Sequence, residues 1–506
     1  MATFVSPGVY TAERDFSLYV PALATTQFAI VGTASRGPTN ERVLITTEDQ
    51  LVNNFGPLLD DHIGLLAAAQ YLKRGNQLTF VRVAGYGEAY AEVMIKNENE
   101  SEDALSITAS TSGSWANGVN GVSVIVEDGS ISGTYKIRVK YAGYVVEVYD
   151  AVVLESTSDD FIETRMADSD YVVVDYIGTS GTLKKGTYYL SGGNDGADVT
   201  EDDVIGVSGA NPTGLQLFAD SEQVDVNIIA VPGDSRPGVV TELISIAESR
   251  GDCFALIDPP LGLDVQGVID WHNGNSDGGP EAALNSSYAA VYWPWLKAFN
   301  SWTGNYVWLP PSGFVAGVFA ETDTNYETWY APAGWRRGKI VSAVGTECHV
   351  THGERERLYG GRAGTYGINS VNPIVDFAGQ GIVVWGQRTL QRSPTALDRV
   401  NVRRLLLYLR KVIATACQYL VFEPNDSRMW DDFKGLVSPF LQRIKDNRGL
   451  YDYRVVMDET TNTTDVIQRN EAVGKIMLKP MGVAEVINIL FTLVPYGASF
   501  EEYLNR

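Results

Sequence analysis

The chain has 506 residues, of which 44% are hydrophobic and 20% are charged, and its formal net charge is −23 at pH 7. This composition is typical of a globular protein and excludes pervasive disorder. A chain of this length is too long for one compact core, so we expect about three or four folding units.

The cysteines and the apolar runs of the sequence indicate the cellular compartment in which the protein folds. The three cysteines, Cys253, Cys348 and Cys417, are odd in number and widely spaced, which indicates a reducing cytoplasm and no disulfide framework. No long uncharged apolar run could cross a bilayer, and the first residues lack the basic and then apolar profile of a signal peptide. We therefore expect neither membrane insertion nor export by the usual route.

Residues 1–20 are expected to form an N-terminal arm, because this segment has too few apolar residues for a core of its own. Residues 21–90 are the first part of an expected α/β middle domain. A buried strand is predicted from Phe28, a short helix over residues 65–72, and a second strand from Leu78.

Residues 91–196 alternate apolar and polar residues in short runs such as VSVIV from Val122, YKIRV from Tyr135 and YVVVDYI from Tyr171. Glycine, serine and asparagine turns separate these runs. The pattern predicts an antiparallel β domain that is inserted into the middle domain and faces outward.

Residues 197–370 are expected to complete the middle domain. Apolar runs from Val224, Cys253 and Tyr288 read as strands, and a helix is predicted over residues 239–249. Continuous apolar strands of this kind are typical of a parallel sheet that is covered on both faces.

Residues 371–494 are expected to form an inner α+β domain, and residues 495–506 a C-terminal arm. The inner domain should contain a basic helix, a second helix over residues 430–444, strands from Tyr453 and Lys475, and a last strand ending at Pro495.

The basic helix carries the strongest functional pattern. Its apolar residues recur at alternating spacings of four and three, the helical period: Val402, Leu406, Leu409, Ile413, Ala416 and Leu420. Its basic residues should lie on other sides, exposed to solvent or to a partner: Arg399, Arg403, Arg404, Arg410 and Lys411. An ordinary solvated face is the simpler interpretation.

Charge is unevenly distributed along the chain. Residues 1–371 hold 22 Lys+Arg against 47 Asp+Glu, whereas residues 372–506 hold 17 against 15. An acidic body with one basic helix does not suit a nucleic-acid binder, which needs a broad cationic surface. It fits a specific acidic protein partner better.

Catalytic patterns are weak. The run Gly274–Gly278 has the spacing of a hydrolase nucleophile elbow but lacks the flanking strand and helix. Cys348, His349 and His352 have no second pair at zinc-site spacing, although Glu354 and Glu356 could add oxygen ligands. Asp234 and Asp258 follow strands, where such residues more often begin turns or cap helices. We therefore expect no enzyme activity, no metal and no cofactor.

Several runs occur together in one order along nearly the whole chain, and they resemble the tail sheath proteins of contractile-tailed bacteriophages. They are SPGVY from Ser6, GSWANGVNGVSVIV from Gly113, LSGGNDG from Leu190, LPPSGFVAGVFAETD from Leu309, NPI from Asn372, GQGIVVWGQRTL from Gly379, NVRRLLLYL from Asn401 and FEPND from Phe422. Residues 264–285 and 334–367 show no clear match, so details of the outer domains there stay open.

The resemblance implies an α/β and α+β multidomain fold. Its inner C-terminal domain is completed by the N-terminal segment, its middle domain is α/β, and its outer domain is an inserted antiparallel β structure. It also implies a structural subunit that polymerises as a six-fold helical tube around a tail tube. The tube would contract irreversibly from a metastable extended state and drive the tail tube through the host envelope.

The resemblance also implies partners and sites. Terminal arms would add strands to neighbouring subunits, through Phe4, Val5, Val9 and Tyr10 at one end and Phe500, Tyr503 and Leu504 at the other. We predict that the basic helix lines the inner wall and contacts an acidic tail tube. Baseplate and tail terminator proteins are further expected partners. The protein is expected in the virion tail after assembly in the host cytoplasm, without bound nucleic acid.

Three alternatives remain open from the sequence. The first is a cytosolic α/β metal-assisted hydrolase that uses Asp234, Asp258, or His349 with His352. The second is the sheath of a contractile device other than a phage tail. The third is a capsid or tube component, which would not explain the joint order of the runs.

Overall fold

The computed structural model describes residues 26–178, 181–360 and 369–486. The chain divides into two compact units, Met1–Phe422 and Glu423–Arg506, which we call the first and second units. Both predicted arms and nearly all of the predicted last strand lie outside the described residues. No helix in the described ranges has the length and apolar character needed to cross a membrane.

A nine-stranded sheet forms the centre of the first unit. In sheet order its strands are β16 (Lys339–Ile340), β19 (Gly381–Val384), β18 (Val371–Phe377), β13 (Ala289–Trp293), β12 (Phe254–Ile257), β11 (Ile228–Ala230), β1 (Phe28–Gly32), β3 (Leu78–Arg82) and β2 (Arg42–Ile45). The six strands from β18 to β3 are parallel, and antiparallel strands complete both edges. The predicted parallel sheet is confirmed.

Helices cover both faces of this sheet. Side chains alternate between two cores along β1, where Phe28 and Ile30 belong to one core and Ala29 and Val31 to the other. The first core includes α1 (Glu48–Phe55), α2 (Ile63–Leu72) and α7 (Pro311–Asn325), and the second includes α5 (Pro237–Arg250) and α6 (Val265–His272). Burial on both faces explains why these strands are continuous apolar runs.

Short elements complete this layer. Three short helices are α4 (Glu201–Ile205), α8 (Gly334–Arg337) and α9 (His352–Leu358). A small antiparallel sheet contains β15 (Asn305–Leu309), β14 (Leu296–Asn300) and β17 (Ala343–Thr346). The sequence does not predict α7. Most of its residues are buried, so the helix has little amphipathic pattern.

The predicted β insertion is present as two antiparallel sheets with a core of their own. One sheet contains β4 (Glu92–Lys96), β5 (Asp103–Ala109) and β9 (Val172–Tyr176); the other contains β10 (Gly186–Tyr189), β6 (Val122–Asp128), β7 (Tyr135–Tyr141) and β8 (Tyr144–Val152). The short helix α3 (Ile162–Met166) packs against β9.

Arg36 joins the β insertion to the central layer. Its guanidinium carbon lies 5.4–5.6 Å from the ring centres of Trp115, Tyr141 and Tyr171, which belong to the insertion. Its Nη2 also donates a 2.5 Å hydrogen bond to the carbonyl oxygen of Asn53 in α1. Stacking of a nearly buried arginine on three rings favours one orientation of the insertion on its support.

The structure corrects one expected boundary. β18 and β19 lie within residues 371–384, which the sequence assigns to the inner domain, yet Val371 pairs with Val291 and Asn372 with Tyr292 in the parallel sheet. These residues therefore belong to the α/β layer. The first five residues of β18 are buried, as is all of its neighbour β13, and burial on both faces suits a strand inside the parallel sheet.

The second unit is small in its described part. It contains α11 (Ser427–Asp446), β20 (Leu450–Val456), α12 (Thr464–Gln468) and β21 (Lys475–Pro480), with β20 and β21 antiparallel. Met429, Trp430 and Met457 form its core, and the Tyr453 hydroxyl donates to the carbonyl oxygen of Ser438. The predicted second helix and both strands before the last are confirmed.

Candidate functional site: the basic helix and its contacts

The basic helix is α10 (Val400–Cys417), and it lies in the first unit. The structure does not place its five cations on an exposed strip. Arg403 and Arg404 are buried and Lys411 is mostly covered, whereas Arg410 is exposed. The expectation that the basic residues avoid the buried surface is therefore wrong for Arg403, Arg404 and Lys411.

Arg404 forms a buried ion pair with α7. Its Nη2 contacts Oδ2 of Asp323, and the side chains of the two residues are only 4% and 2% exposed. The guanidinium carbon also lies 4.4 Å from the centre of the Phe319 ring. Arg404 thus binds one carboxylate and one aromatic face on the same helix, a pairing that suits the flat guanidinium group.

Arg403 lies over the segment that leads into β13. Its guanidinium carbon is 4.0 Å from the centre of the Tyr288 ring, and its Nη2 donates to the hydroxyl of Ser287. Arg410, two turns further along, donates to the Tyr288 hydroxyl at 3.0 Å. Both arginines therefore use Tyr288, although only Arg403 is buried against it.

Lys411 and Arg399 make the remaining contacts of the set. The Lys411 ammonium contacts the carboxylate of Asp225, and burial lowers the pKa of Lys411 to about 8. Arg399, at the N-cap position of α10, pairs with the preceding Asp398 at 2.8 Å. Each cation of the predicted strip therefore has at least one contact within its own chain.

The misprediction has a structural cause. Between residues 400 and 409 apolar or buried side chains occur on every side of α10, so no face is free for the cations. Asn401, which the pattern does not single out, is buried there and donates to the carbonyl oxygen of Trp329 at 3.2 Å. Leucines on all sides, as in RRLLLYL, are the sequence signal of a helix buried all round.

The two strand-end aspartates have structural roles. Oδ1 of Asp258 accepts from the backbone nitrogen of Ser312 at 2.9 Å, and Oδ2 accepts from the Ser312 hydroxyl at 2.6 Å and from the Gly233 nitrogen at 3.2 Å. Burial raises the pKa of Asp258 to about 7. Asp234 closes a turn by accepting from the backbone nitrogen of Arg236 and pairing with its side chain. The predicted turn and helix-end roles are confirmed.

The weak catalytic patterns do not form a site in the described ranges. His349 and His352 are exposed, and Glu354 accepts from Thr351 in a capping box at the start of α9. Groups of His, Cys, Asp or Glu able to hold a metal ion are absent from the part of the chain that the structure describes. The run Gly274–Gly278 follows α6 rather than a strand, so it lacks the context of a nucleophile elbow.

Two family models match this chain in succession. Residues 206–390 match the phage tail sheath protein central domain, and residues 392–493 match the phage tail sheath C-terminal domain. The chain belongs to the phage tail sheath family. The resemblance inferred from the ordered runs is thereby confirmed. The family is structural, which agrees with the prediction that this tail sheath family member is not an enzyme.

Curated relatives of this sheath family chain carry the same family name. The tail sheath protein of Vibrio phage KVP40 is 29% identical over 404 residues, which cover 74% of this chain and 57% of the relative. The tail sheath protein of Enterobacteria phage T4 is 31% identical over 333 residues, which cover 63% and 48%. The chain therefore spans about half the length of these relatives.

Solved sheath structures share the fold. The PVC sheath complex of an extracellular contractile injection system, in its contracted state, aligns with a TM-score of 0.56 over 97% of this chain and 98% of that one. Its sequence identity of 19% limits the likeness to the fold. A mixed α/β multidomain architecture is thus common to both proteins.

Proposed function

We propose that this chain is a structural subunit of a contractile phage tail sheath. The observation that carries the proposal is the succession of central and C-terminal sheath domains across residues 206–493. In this function the subunits polymerise as a six-fold helical tube around the tail tube. They then contract irreversibly from a metastable extended state to drive the tail tube through the host envelope.

The proposed work is mechanical, so it needs interfaces rather than a catalytic centre. Head-to-tail contacts that do not close into a ring generate open helical filaments. A packed interface with two arrangements and a kinetic barrier between them can hold energy until a signal arrives. The inner domain completed by the N-terminal segment, and the strand-exchanging arms, belong to this proposal.

The proposed partners follow from the same function. Copies of this chain associate through Phe4, Val5, Val9, Tyr10, Phe500, Tyr503 and Leu504, all of which lie outside the described residues. The other proposed partners are the tail tube, baseplate and tail terminator proteins. The location is the virion tail, after assembly in the host cytoplasm.

The proposed contact between α10 and the tail tube involves fewer residues than the sequence predicted. Arg403 and Arg404 are buried within their own chain and leave the proposal. Arg410 is exposed and keeps the charge that an acidic tube would bind. Arg410→Glu should lower tube loading while the monomer stays folded; Arg336→Glu, at an exposed arginine of α8, is the matched control. Equal loading by both variants would remove α10 from the tube interface.

A second candidate is the sheath of a contractile injection device other than a phage tail. The observation in its favour is a fold alignment that covers 97% of this chain with the sheath of such a device. The two candidates share sheath assembly and differ in the particle that carries the sheath. Electron microscopy of native particles, with or without a capsid on the tail, separates them.

Negative-stain electron microscopy tests the proposed assembly. The purified chain is compared with the same chain lacking residues 1–15. Tubes or rings that disappear on truncation support a sheath assembled through arms. Monomers in both preparations, even when a purified tail tube is added, would contradict the proposal.

A further inference from the structure

We propose that one face of the small antiparallel sheet formed by β14, β15 and β17 is a contact surface for a second copy of this chain in the assembled sheath. We call it the aromatic face, and it consists of Lys297, Phe299, Trp302, Tyr306 and Trp308. The inference rests on the proposed function, and it adds an interface that is separate from the proposed terminal arms.

Strand alternation places the side chains of this face on one side of the sheet. Lys297 and Phe299 alternate along β14 with residues that are buried beneath the sheet, so they point away from the core. On β15, Tyr306 lies opposite Phe299, and the centres of their rings are 5.4 Å apart. Trp308 lies opposite Lys297. One side of the sheet therefore packs on the core, and the other side is lined by aromatic rings.

The aromatic rings of this face are open to solvent. Phe299 is 49% exposed, Tyr306 is 58% exposed and Trp308 is 36% exposed. Trp302, in the turn between the two strands, is 53% exposed. A single exposed apolar side chain needs no explanation, whereas a cluster of them marks an interaction surface. Tyrosine and tryptophan are also among the residues that contribute most to binding at protein interfaces.

Hydrogen bonds hold the turn between β14 and β15 in place. The Asp60 carboxylate accepts from the side chains of Asn300, Thr303 and Asn305 at 2.8–3.0 Å. The Asn300 amide also donates to the carbonyl oxygen of Leu58 at 2.8 Å. A partner therefore meets a face that is already ordered, and little conformational entropy is lost on contact.

Charge indicates the chemistry of the partner. The Lys297 ammonium lies 5.6 Å from the centre of the Tyr306 ring and 5.5 Å from that of Trp308. Within the described ranges its contacts are with these rings rather than with a carboxylate, so its charge suits an acidic surface. A second copy of this chain offers such a surface, since residues 1–371 hold 22 Lys+Arg against 47 Asp+Glu.

The size of the face favours a partner that assembly already holds nearby. A covered aromatic side chain buries about 150–250 Å², so four that are half exposed can bury roughly 300–500 Å² more. This area falls short of the roughly 800 Å² that each partner buries in a stable interface. A contact of this size does not hold a free partner in solution, but it adds to binding between copies that a polymer keeps at high effective concentration. A second copy in the sheath is therefore the occupant.

Photo-cross-linking from the aromatic face tests the inference. The photoreactive residue p-benzoyl-phenylalanine replaces Trp302 in the full-length chain, and cross-links in monomeric and assembled fractions are identified by mass spectrometry. The assembled fraction should give a cross-link between two copies, and the monomeric fraction should give none. Lys297→Glu in the probe chain should lower the yield at least about threefold, because it reverses the charge that faces the acidic partner. Lys297→Arg keeps the charge and should preserve the yield.

The critical concentration for assembly provides a second measurement. Trp308→Ser should raise it about tenfold, because a tryptophan at an interface contributes strongly to binding. Tyr86→Ser, at an aromatic side chain that is 93% exposed and lies outside the face, is the matched control and should leave it unchanged. Circular dichroism and urea unfolding check that both variants fold as the natural chain does. If Trp308→Ser does not fold, Tyr306→Ser on the same face replaces it.

Three outcomes would overturn the inference. They are assembled sheath without a cross-link between copies, cross-links only within one chain or only to a tail tube protein, and equal critical concentrations for Trp308→Ser and Tyr86→Ser. Electron microscopy of the natural chain is done first. Its failure to assemble would contradict the proposed function together with this inference, whereas any of the three outcomes in assembled sheath would contradict the aromatic face alone.

Discussion

The two halves of α10 differ sharply although both carry the same kinds of side chain. Residues 400–409 are nearly all buried, including Arg403 and Arg404, whereas residues 410–417 alternate between covered and open positions. Arg404 lies against Asp323 and Phe319, whereas Arg410 is exposed and donates a hydrogen bond to the Tyr288 hydroxyl. The environment on each side, rather than the charge of the residue, therefore decides what an arginine on this helix does.

The largest expected effect comes from the buried half. Arg404→Met should lower the free energy of unfolding of the first unit by about 3–5 kcal/mol, because it removes the cation of a buried ion pair with Asp323. Urea unfolding of the full chain, followed by circular dichroism, measures this loss. Losses of similar size in Arg404→Met and Arg410→Met would break the contrast between the two halves.

Acid should reveal a second contrast, between a buried and an exposed histidine. His272 in α6 is fully buried, and burial lowers its pKa to about 4 from a usual value of 6.5. His272 takes up a proton less readily in the folded state than in the unfolded state. Its contribution to stability is therefore fully present above pH 6.5 and is lost as the pH falls towards 4. The loss reaches about 3 kcal/mol at full protonation.

A pH series of unfolding midpoints for His272→Gln checks this expectation. The variant should lose less stability than the natural chain between pH 6.5 and 4. His349→Gln, at an exposed histidine, should follow the natural chain. Parallel curves for all three proteins would show that other groups cause the acid sensitivity.

Lys411 stands at the boundary between the two halves, and its effect should be intermediate. Its side chain is 13% exposed and that of Asp225 is 42% exposed. Lys411→Met should lower the free energy of unfolding by about 1 kcal/mol, because water can hydrate the Asp225 carboxylate once the ammonium is lost. The comparison is made by urea unfolding beside Arg404→Met. A cost as large as that of Arg404→Met would mean that exposure of the carboxylate does not matter.

The smallest effect is expected at Arg410. Arg410→Gln should change the free energy of unfolding by no more than about 0.5 kcal/mol, as is usual for an exposed side chain. The same urea measurement applies. A larger loss would show that the hydrogen bond to Tyr288 holds the second half of α10 in place.

Different parts of the fold were predictable to different degrees. The strands from Phe28, Leu78, Cys253 and Tyr288 are recognisable because burial on both faces demands uninterrupted apolar runs. The helices α5, α10 and α11 are recognisable from their length and period. The helix α7 is not, because a helix that is covered on all sides has no polar face to set the period.

The candidate site was predictable only in part. The pattern identifies α10 as a basic helix, and Val402, Leu409 and Ala416 of its predicted apolar face are buried. Leu406 and Ile413 of that face are partly exposed, whereas Leu405 and Val412, which the pattern does not select, are buried. The partners of its cations, Asp225, Ser287, Tyr288 and Asp323, are about 80 to 190 residues away in sequence. No local period reports contacts over such distances.

The sequence by itself determined the alternation of strands and helices, the antiparallel character of the insertion and, through the order of its runs, the sheath family. These depend on local periodicity and composition, which short segments carry on their own. Only the tertiary structure decided that residues 371–384 join the central sheet and that Arg403, Arg404 and Lys411 turn inward. Burial of a charged side chain depends on whether a carboxylate or an aromatic ring from a distant segment meets it, and only the folded chain brings those groups together.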